Sequence, residues 1–535
     1  MLGKVNGKNN GVGYYFELED YSLKWSSFLL CVLLFLFGLV ILAQDFISPL
    51  IEITVIKLYG LLLMLSGLGG FLATKKFSKE YENRKNNLFD STGKLNKQLL
   101  YKQRRISEMM RLNTRSIVEV QSVFNDLLKM DTFSFPMLYN GLFPAANLQA
   151  QSEYTGYSNV WVRDNIHIAH AHYVNNKPQI AIKNITTFVE YFSKYQWRLE
   201  KIVSGESDPN NSMNRPHIRF NGSDLLELNE KWSHSQNDAL GYFLWLLCKL
   251  ANDKTVDDKN FNHLVKEKKE LMALFALYFD KIQYWQDEDN GHWEEAKKIE
   301  ASSIGVVVAA LIELKKWVDN NNDIEYKGKI INANFIEELL IKGKQILKQI
   351  LPAECIQTDK PRPYDAALLF LIYPLDVVQD NETENQILKN VTEHLQGDNG
   401  IRRYLGDSYW SADYKEKLKP EERTIDVSDD MSSRDSLLKP GEEAQWCIFD
   451  PIMSVIYGKK YLNTKEEQYL QLQTHYFNRS LAQLTPADSP FGACKCPELY
   501  YLENGKYVPN DTTPLLWTQA NLWIAFNFME QSLKL

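Results

Sequence analysis

Gly291-His292-Trp293-Glu294-Glu295-Ala296 sets two adjacent carboxylates behind a tryptophan, in a stretch already crowded by Tyr284 and Trp285. A carboxylic acid that must hold its proton near neutrality wants an apolar, aromatic wall and a like charge nearby, because both disfavour its ionised form. Trp293 and Glu295 can supply both to Glu294. Aromatic faces also stack on sugar rings. Taken alone, Trp-Glu-Glu is equally the rim of an ordinary helix, so its reading depends on the segments around it.

From about Phe133 onward, helix follows helix, joined by long irregular loops. Apolar residues at helical spacing mark candidate helices at 164–174, 178–195, 235–251, 264–279, 301–320, 334–350, 364–373, 385–395, 442–457, 465–484 and 514–532. Alternating strand patterns are few. The expectation is an all-α domain of about a dozen helices with its chemistry carried on loops.

Five loop segments then fall into order. The first is Gly141-Leu-Phe-Pro-Ala-Ala146 followed by Val160-Trp-Val-Arg-Asp164, and the second is Lys231-Trp-Ser-His-Ser-Gln-Asn-Asp-Ala-Leu-Gly241. The third is the Trp293-Glu294-Glu295 loop, leading into Ala301-Ser-Ser-Ile-Gly305, and the fourth is Asn399-Gly-Ile-Arg-Arg-Tyr404. The last is Cys496-Pro-Glu-Leu-Tyr-Tyr501, then Thr513-Pro-Leu-Leu-Trp-Thr-Gln519. Arg163-Asp164 pairs a donor fork with an acceptor, which suits neighbouring sugar hydroxyls. The same two residues also suit a helix cap beside an ion pair. Trp232 suits core packing as well as a sugar face.

Together the five segments resemble glycoside hydrolase family 15, the glucoamylase family, with its relatives among the regulatory subunits of phosphorylase kinase. The resemblance runs from about Phe133 to the C-terminus. It implies a double barrel of six inner and six outer helices with the active site at one mouth. It further implies that Glu294 is a general acid and that Glu498, in the last loop before the final helix, is a general base. Arg163, Asp164, Trp232, Asp238, Glu295 and Arg403 are implied as substrate-binding residues. The implied activity is that of an inverting, exo-acting α-glucosidase on α-glucans or oligosaccharides, needing no metal or organic cofactor. The base position reads Pro497-Glu498-Leu-Tyr-Tyr501 where glucoamylases carry Glu-Gln. That variation and Thr513–Gln519 resemble the kinase subunits, whereas Glu295 stands where those subunits tend to carry Arg. The alternative implied is a non-catalytic, glucan-sensing or regulatory protein.

Inverting hydrolysis needs an acid on the leaving oxygen and a base on a water across the ring, ~6.5–9.5 Å away. Loops far apart in sequence can meet at that separation across a barrel mouth.

The chain's 535 residues are 44% hydrophobic and 12% aromatic, enough for a sizeable core, and the net charge of -8 argues against nucleic acid as a partner. Six cysteines make no disulfide framework, and Cys494-Lys-Cys496 lacks a second pair at zinc-site spacing, so a reducing compartment is expected and a metal is not. Two apolar runs, 26–43 and 53–73, are each long enough to cross ~30 Å of hydrocarbon as a helix. Their connection, 44–52, carries Asp45 and Glu52 and no basic residue, while Lys4, Lys8 and Lys24 precede the pair and Lys75, Lys76, Lys79, Arg84 and Lys85 follow it. Basic flanks stay on the cytoplasmic side. The expected organisation is a cytoplasmic tail at 1–25, a transmembrane hairpin at 26–73, a helical stalk at 74–130 and a catalytic barrel at 131–535 facing the cytoplasm.

Overall fold

The computed structural model describes residues 116–147 and 154–535. The tail at 1–25, the hairpin at 26–73 and most of the stalk lie outside the described residues. Among the described residues, no helix is long and apolar enough to cross a membrane. The described residues 116–147, 154–485 and 494–535 belong to one compact unit, and Pro486–Ala493 belongs to a second, in which it forms a string of turns.

Thirteen helices of nine or more residues carry the larger unit among the described residues. They are α1 (Ile117–Lys129), α2 (Val162–Val174), α3 (Pro178–Lys194), α4 (Gln196–Ser204), α5 (Asn237–Asn252), α6 (Lys259–Glu267) and α7 (Lys269–Lys281). There follow α8 (Ala301–Asn320), α9 (Ala333–Ile350), α10 (Asn381–Asn390), α11 (Phe449–Thr464), α12 (Glu467–Ala482) and α13 (Leu516–Leu533). Six segments close an inner ring: α2 packs on α5, α5 on α8, α8 on the single turn Leu369–Ile372, that turn on α11, α11 on α13, and α13 back on α2. An outer layer covers them: α3 lies on α2, α7 and α9 on α8, α10 on Leu369–Ile372, α12 on α11 and α1 on α13. This is the double six-helix barrel.

Burial follows from which layer a helix occupies. Inner helices are buried over most of their circumference, and most of them are accordingly rich in apolar residues. In α5 every residue from Asn237 to Cys248 is buried, and in α8 every residue from Ala301 to Leu311. Outer α9 buries only one stripe, Ile336, Leu339, Leu340, Gly343, Leu347 and Ile350. Two glycines set the inner spacing. A methyl group at Gly241 of α5 would stand 3.0 Å from Val306 and 3.1 Å from the Val307 amide, and one at Gly305 of α8 would stand 2.3 Å from Leu371.

The structure redraws several helix boundaries expected from sequence. The 264–279 helix is two, α6 and α7, separated at Lys268. The 364–373 helix shrinks to a 3-10 turn, Ala366–Leu368, capped at its start by the Asp365 side chain on the Ala367 amide, and the single α-turn Leu369–Ile372 that follows it. The 442–457 helix starts only at Phe449, because Gln445–Trp446 is a strand. Three small antiparallel sheets join the loops: β1 (Val160–Trp161) with β2 (Arg219–Asn221) and β3 (Leu226–Glu227), β4 (Ile324–Tyr326) with β5 (Lys329–Ile331), and β6 (Gln445–Trp446) with β7 (Leu499–Glu503) and β8 (Lys506–Pro509). Strands of two to five residues are too short to show an alternating pattern.

Candidate active site

The segments entering the inner helices converge on one cavity of about 820 Å³, mouth included. Trp161, Arg163 and Asp164 come from the start of α2, Trp232 and Ser233 from the approach to α5, and His292, Trp293 and Glu294 from the approach to α8. Trp446 precedes α11, Leu515 and Trp517 open α13, and Arg403 and Glu498 stand on the loops between. Aligned backbone dipoles make a helix N-terminus electropositive, which favours carboxylates there. Asp164, Asp238 and Asp450 indeed occupy the first turns of α2, α5 and α11.

The Glu294 loop is a tight turn. The Glu295 amide bonds the Asn290 carbonyl at 3.2 Å, and the Asn290 side chain donates back to the Glu295 carbonyl at 2.5 Å. Gly291 has φ +55°, and a methyl group on it would overlap the Glu300 carboxylate. Glu294 itself holds φ +60°, a left-handed conformation that costs a residue with a side chain about 1–2 kcal/mol. The turn sends the two neighbouring carboxylates in opposite directions.

Glu294 faces the cavity. Its Oε1 lies 3.2 Å from Nη2 of Arg163, whose Nη1 binds Asp238 at 2.6 Å and Gln236 at 3.0 Å. Burial raises the Glu294 carboxyl above its ordinary value, against the opposing pull of Arg163 and Arg219. Asp164 lines the same cavity and is pushed up to about 7 by burial, with Arg163 opposing and the charges of Glu294 and Glu498 adding to the rise.

Glu295 turns away and does not line the cavity. Both its oxygens are taken: Arg403 at 2.9 Å and Arg434 at 2.8 Å on Oε1, Arg362 at 3.3 Å and the Tyr404 hydroxyl at 2.5 Å on Oε2. Burial opposes its ionisation, but Arg403, Arg434 and Arg362 outweigh it and hold the carboxyl at about 2. A carboxylate so saturated shapes the wall and has no lone pair facing a substrate. Asp238 likewise sits beneath Arg163, fully buried, outside the cavity lining. The structure thus places these two expected sugar contacts behind the residues that line the cavity.

Glu498 lines the same cavity. The β6–β7 pairing places it there, with the Cys447 amide donating to the Glu498 carbonyl at 2.9 Å. Its carboxylate accepts from Tyr157 at 2.8 Å, from Asn510 at 2.5 Å and from the Thr512 hydroxyl. Burial raises its pKa, and the three hydrogen bonds with Arg403 restrain the rise. Arg403 is held by a two-pronged contact to Asp407, 2.6 Å on each oxygen, with its guanidinium over Trp446 at 4.8 Å and Trp293 at 5.1 Å. The Arg219 guanidinium lies over the rings of both Trp232 and Trp161, at 4.1 and 4.9 Å, the two rings meeting edge to face. Trp232, Trp446 and Trp517 line the cavity, and their indole nitrogens are buried without a protein partner.

Sequence reasoning brought Arg163, Asp164, Trp232, Glu294, Arg403 and Glu498 to one place. It missed Tyr157, Tyr409, Trp446, Arg434 and the strap Thr424–Val427, all of which line the cavity. The strap and Arg434 lie in a charged, polar stretch that reads as solvated loop, and only the contact of Arg434 with Glu295 reveals its place. Among the described residues, no group of side chains could hold a metal ion.

The family model for Glycosyl hydrolases family 15 matches residues 121–487, a span that includes Glu294 and stops short of Glu498. The probable phosphorylase b kinase regulatory subunit alpha of Caenorhabditis elegans is 25% identical over 309 residues, which are 54% of this chain and 22% of that protein. The chain spans between 22% and 56% of the length of the curated relatives it matches. A wild-type glycosidase of known structure superposes with a TM-score of 0.51 at 16% identity, over 80% of this chain and 98% of that one. A glycosidase variant solved in complex with glucose gives 0.51 at 15% identity, with the same coverage. At these identities the likeness is one of fold.

Proposed function

The chain belongs to glycosyl hydrolases family 15, and from that premise we propose that it is an inverting, exo-acting α-glucosidase that releases glucose from the ends of α-glucans or oligosaccharides. The observation that carries this reading is the arrival of Glu294 and Glu498 in one cavity from loops far apart in sequence. The terminal sugar enters between Arg163, Asp164 and the unpaired indole N–H groups. Glu294, protonated, gives its proton to the leaving oxygen. Glu498, ionised and oriented by Tyr157, Asn510 and Thr512, takes a proton from a water attacking across the ring. Burial keeps the acid protonated to higher pH. The donors around Glu498 restrain the same effect on the base, which must be ionised. The glycosidase variant that holds glucose supports the choice of sugar.

The test is a panel of α-glucosides followed by anomeric NMR, with β-glucose the expected first product. In Glu498→Ala, hydrolysis is lost and sugar binding persists. A small anion such as azide then restores turnover by filling the cavity and attacking from the water's face. An α-anomer product would overturn the inverting assignment. A second reading, a glucan-sensing or regulatory protein, draws on the kinase-subunit relative. It requires wild-type protein that binds maltooligosaccharide and hydrolyses none. The proposal extends to location: residues 26–73 anchor the chain as a membrane hairpin, with the catalytic unit on the cytoplasmic side.

A further inference from the structure

Glu294 has to stay protonated although a guanidinium lies 3.2 Å from its Oε1. An opposite charge that close ordinarily lowers a carboxyl pKa by about one to three units. Something must cancel Arg163. The Nη1 of Arg163 is occupied by Asp238 Oδ2 at 2.6 Å and Gln236 Oε1 at 3.0 Å. Asp238 is fully buried in the first turn of α5, where the helix dipole favours its charge. Gln236 is fixed by its own amide donating to the Ser233 carbonyl at 2.7 Å, so its oxygen faces Arg163. The same Asp238 oxygen, Oδ2, lies 3.7 Å from His292 Nδ1. That ring is hydrogen-bonded to Ser302 at 3.0 Å and Tyr242 at 3.2 Å. Burial lowers the imidazole to about 4, so it adds no competing positive charge near neutrality.

We infer that Asp238 is a positioning residue for the acid: by neutralising Arg163 from behind, it lets Arg163 orient Glu294 without stripping its proton. The inference rests on the acid role given to Glu294 above. The charged groups facing Glu294 are Arg163 and Asp164 from α2, Arg219 from β2 and Asp238 from α5. Of the two cations, Arg163 alone makes an ion pair with Glu294, and it also reaches Asp238. Arg219 is engaged instead by Glu230 and two tryptophan faces. Asp238→Asn keeps the size and a hydrogen-bonding oxygen and removes the counter-charge. Glu294 then faces an uncompensated guanidinium, and its pKa falls. Since the protonated form is the acid, activity is lost as pH rises through that pKa, and the alkaline limb moves to lower pH.

The experiment follows the Glu294 carboxyl by carbon NMR titration of glutamate-labelled full-length protein, its signal assigned by loss in Glu294→Gln. In Asp238→Asn the midpoint should drop by about one unit or more. In Arg163→Gln it should rise, because Asp238 is left unshielded, and in the double variant it should return towards the wild-type value. The alkaline limb of kcat/KM should track the midpoint in Asp238→Asn. An unmoved Glu294 midpoint in Asp238→Asn, with activity reduced equally at every pH, would mean that Asp238 only braces α5 and would overturn the inference. Should Asp238→Asn not fold, Asp238→Ser, which also removes the counter-charge, takes its place: a lowered Glu294 midpoint supports the inference, and an unmoved one overturns it. Wild-type protein that hydrolyses nothing while the midpoints shift as stated would remove the enzyme reading and leave the charge relation standing.

Discussion

Glu294 and Glu295 are neighbours in sequence and opposites in chemistry, and the left-handed backbone at Glu294 is what separates them. One carboxyl faces a cavity and is raised by burial. The other faces three guanidinium groups and is held at about 2. Each makes its own prediction. Glu294→Gln removes the proton donor, so turnover on natural glucans should fall about 10²–10⁴-fold, as loss of a general acid does. Glucosyl fluoride, whose leaving group needs little protonation, should lose much less, and a chromogenic or coupled assay on both substrates reads the difference. Equal losses would assign Glu294 another role. Glu295→Gln leaves Arg403, Arg434 and Arg362 without their shared anion, and breaking such a buried pair costs about 3–5 kcal/mol. The sign with pH follows from the depressed pKa. Stability from Glu295 is present above the unfolded value near ~4.3 and is lost as pH falls through the folded value of about 2. Urea unfolding at a series of pH values should therefore show wild type and Glu295→Gln far apart at neutrality and converging below about pH 4.

The inner ring is weakest where it is shortest, at the turn Leu369–Ile372 between α8 and α11. Gly305 lets that turn approach α8. Gly305→Ala gains about 1 kcal/mol of helix propensity, yet its methyl would stand 2.3 Å from Leu371. Overpacking of this kind costs about 1–3 kcal/mol, so the net change should be destabilising. Activity should fall with it, since Asp365, just before the turn, holds the Trp293 indole nitrogen at 3.0 Å. Unfolding midpoints and kcat on one preparation check both, and a stabilised variant would show that the approach is not tight. This ring also shows what sequence could and could not reveal. Helices such as α5 and α8 were legible because long apolar runs and bounding loops mark them. The ring's fourth member was over-read at 364–373 because its residues are apolar, while the first turn after the Asp365 cap is 3-10 and only Leu369–Ile372 is α-helical. Glu498 was legible only through its distance before α13, whereas Tyr157, Asn510 and Thr512, which orient it, carry no local pattern. Asn510 and Thr512 reach it through the pairing of β6, β7 and β8 and the loop that follows, Tyr157 comes from the segment before β1, and strands this short leave no periodic trace. Arg434 was invisible because a charged loop reads as solvent-facing until its partner, a buried glutamate, is placed.

For the molecule as a whole, the barrel accounts for about three quarters of the chain, and the remainder contains the two apolar runs at 26–43 and 53–73. A glycosidase that acts on cytoplasmic α-glucan needs no anchor for its chemistry, so the anchor concerns where the sugar is met. The topology follows from charge. Moving basic flanks across a bilayer is disfavoured, and the only stretch between the runs, 44–52, has none. In the proposed topology both flanks therefore stay inside and the short connection emerges outside. The expected outcome can be read with a membrane-impermeant thiol reagent on intact cells. Single cysteines placed at 44–52 should label from outside. Single cysteines beside Lys85 should label only after the membrane is opened. The native cysteines of the barrel, Cys248, Cys355, Cys447, Cys494 and Cys496, are all buried and give a low background. Cys31 lies within the first apolar run and is replaced by serine for the measurement. Labelling beside Lys85 on intact cells would place the catalytic unit outside and make an extracellular glucan the substrate. Recovery of the whole chain in the supernatant after cell breakage, without detergent, would remove the hairpin and leave the barrel's chemistry unchanged.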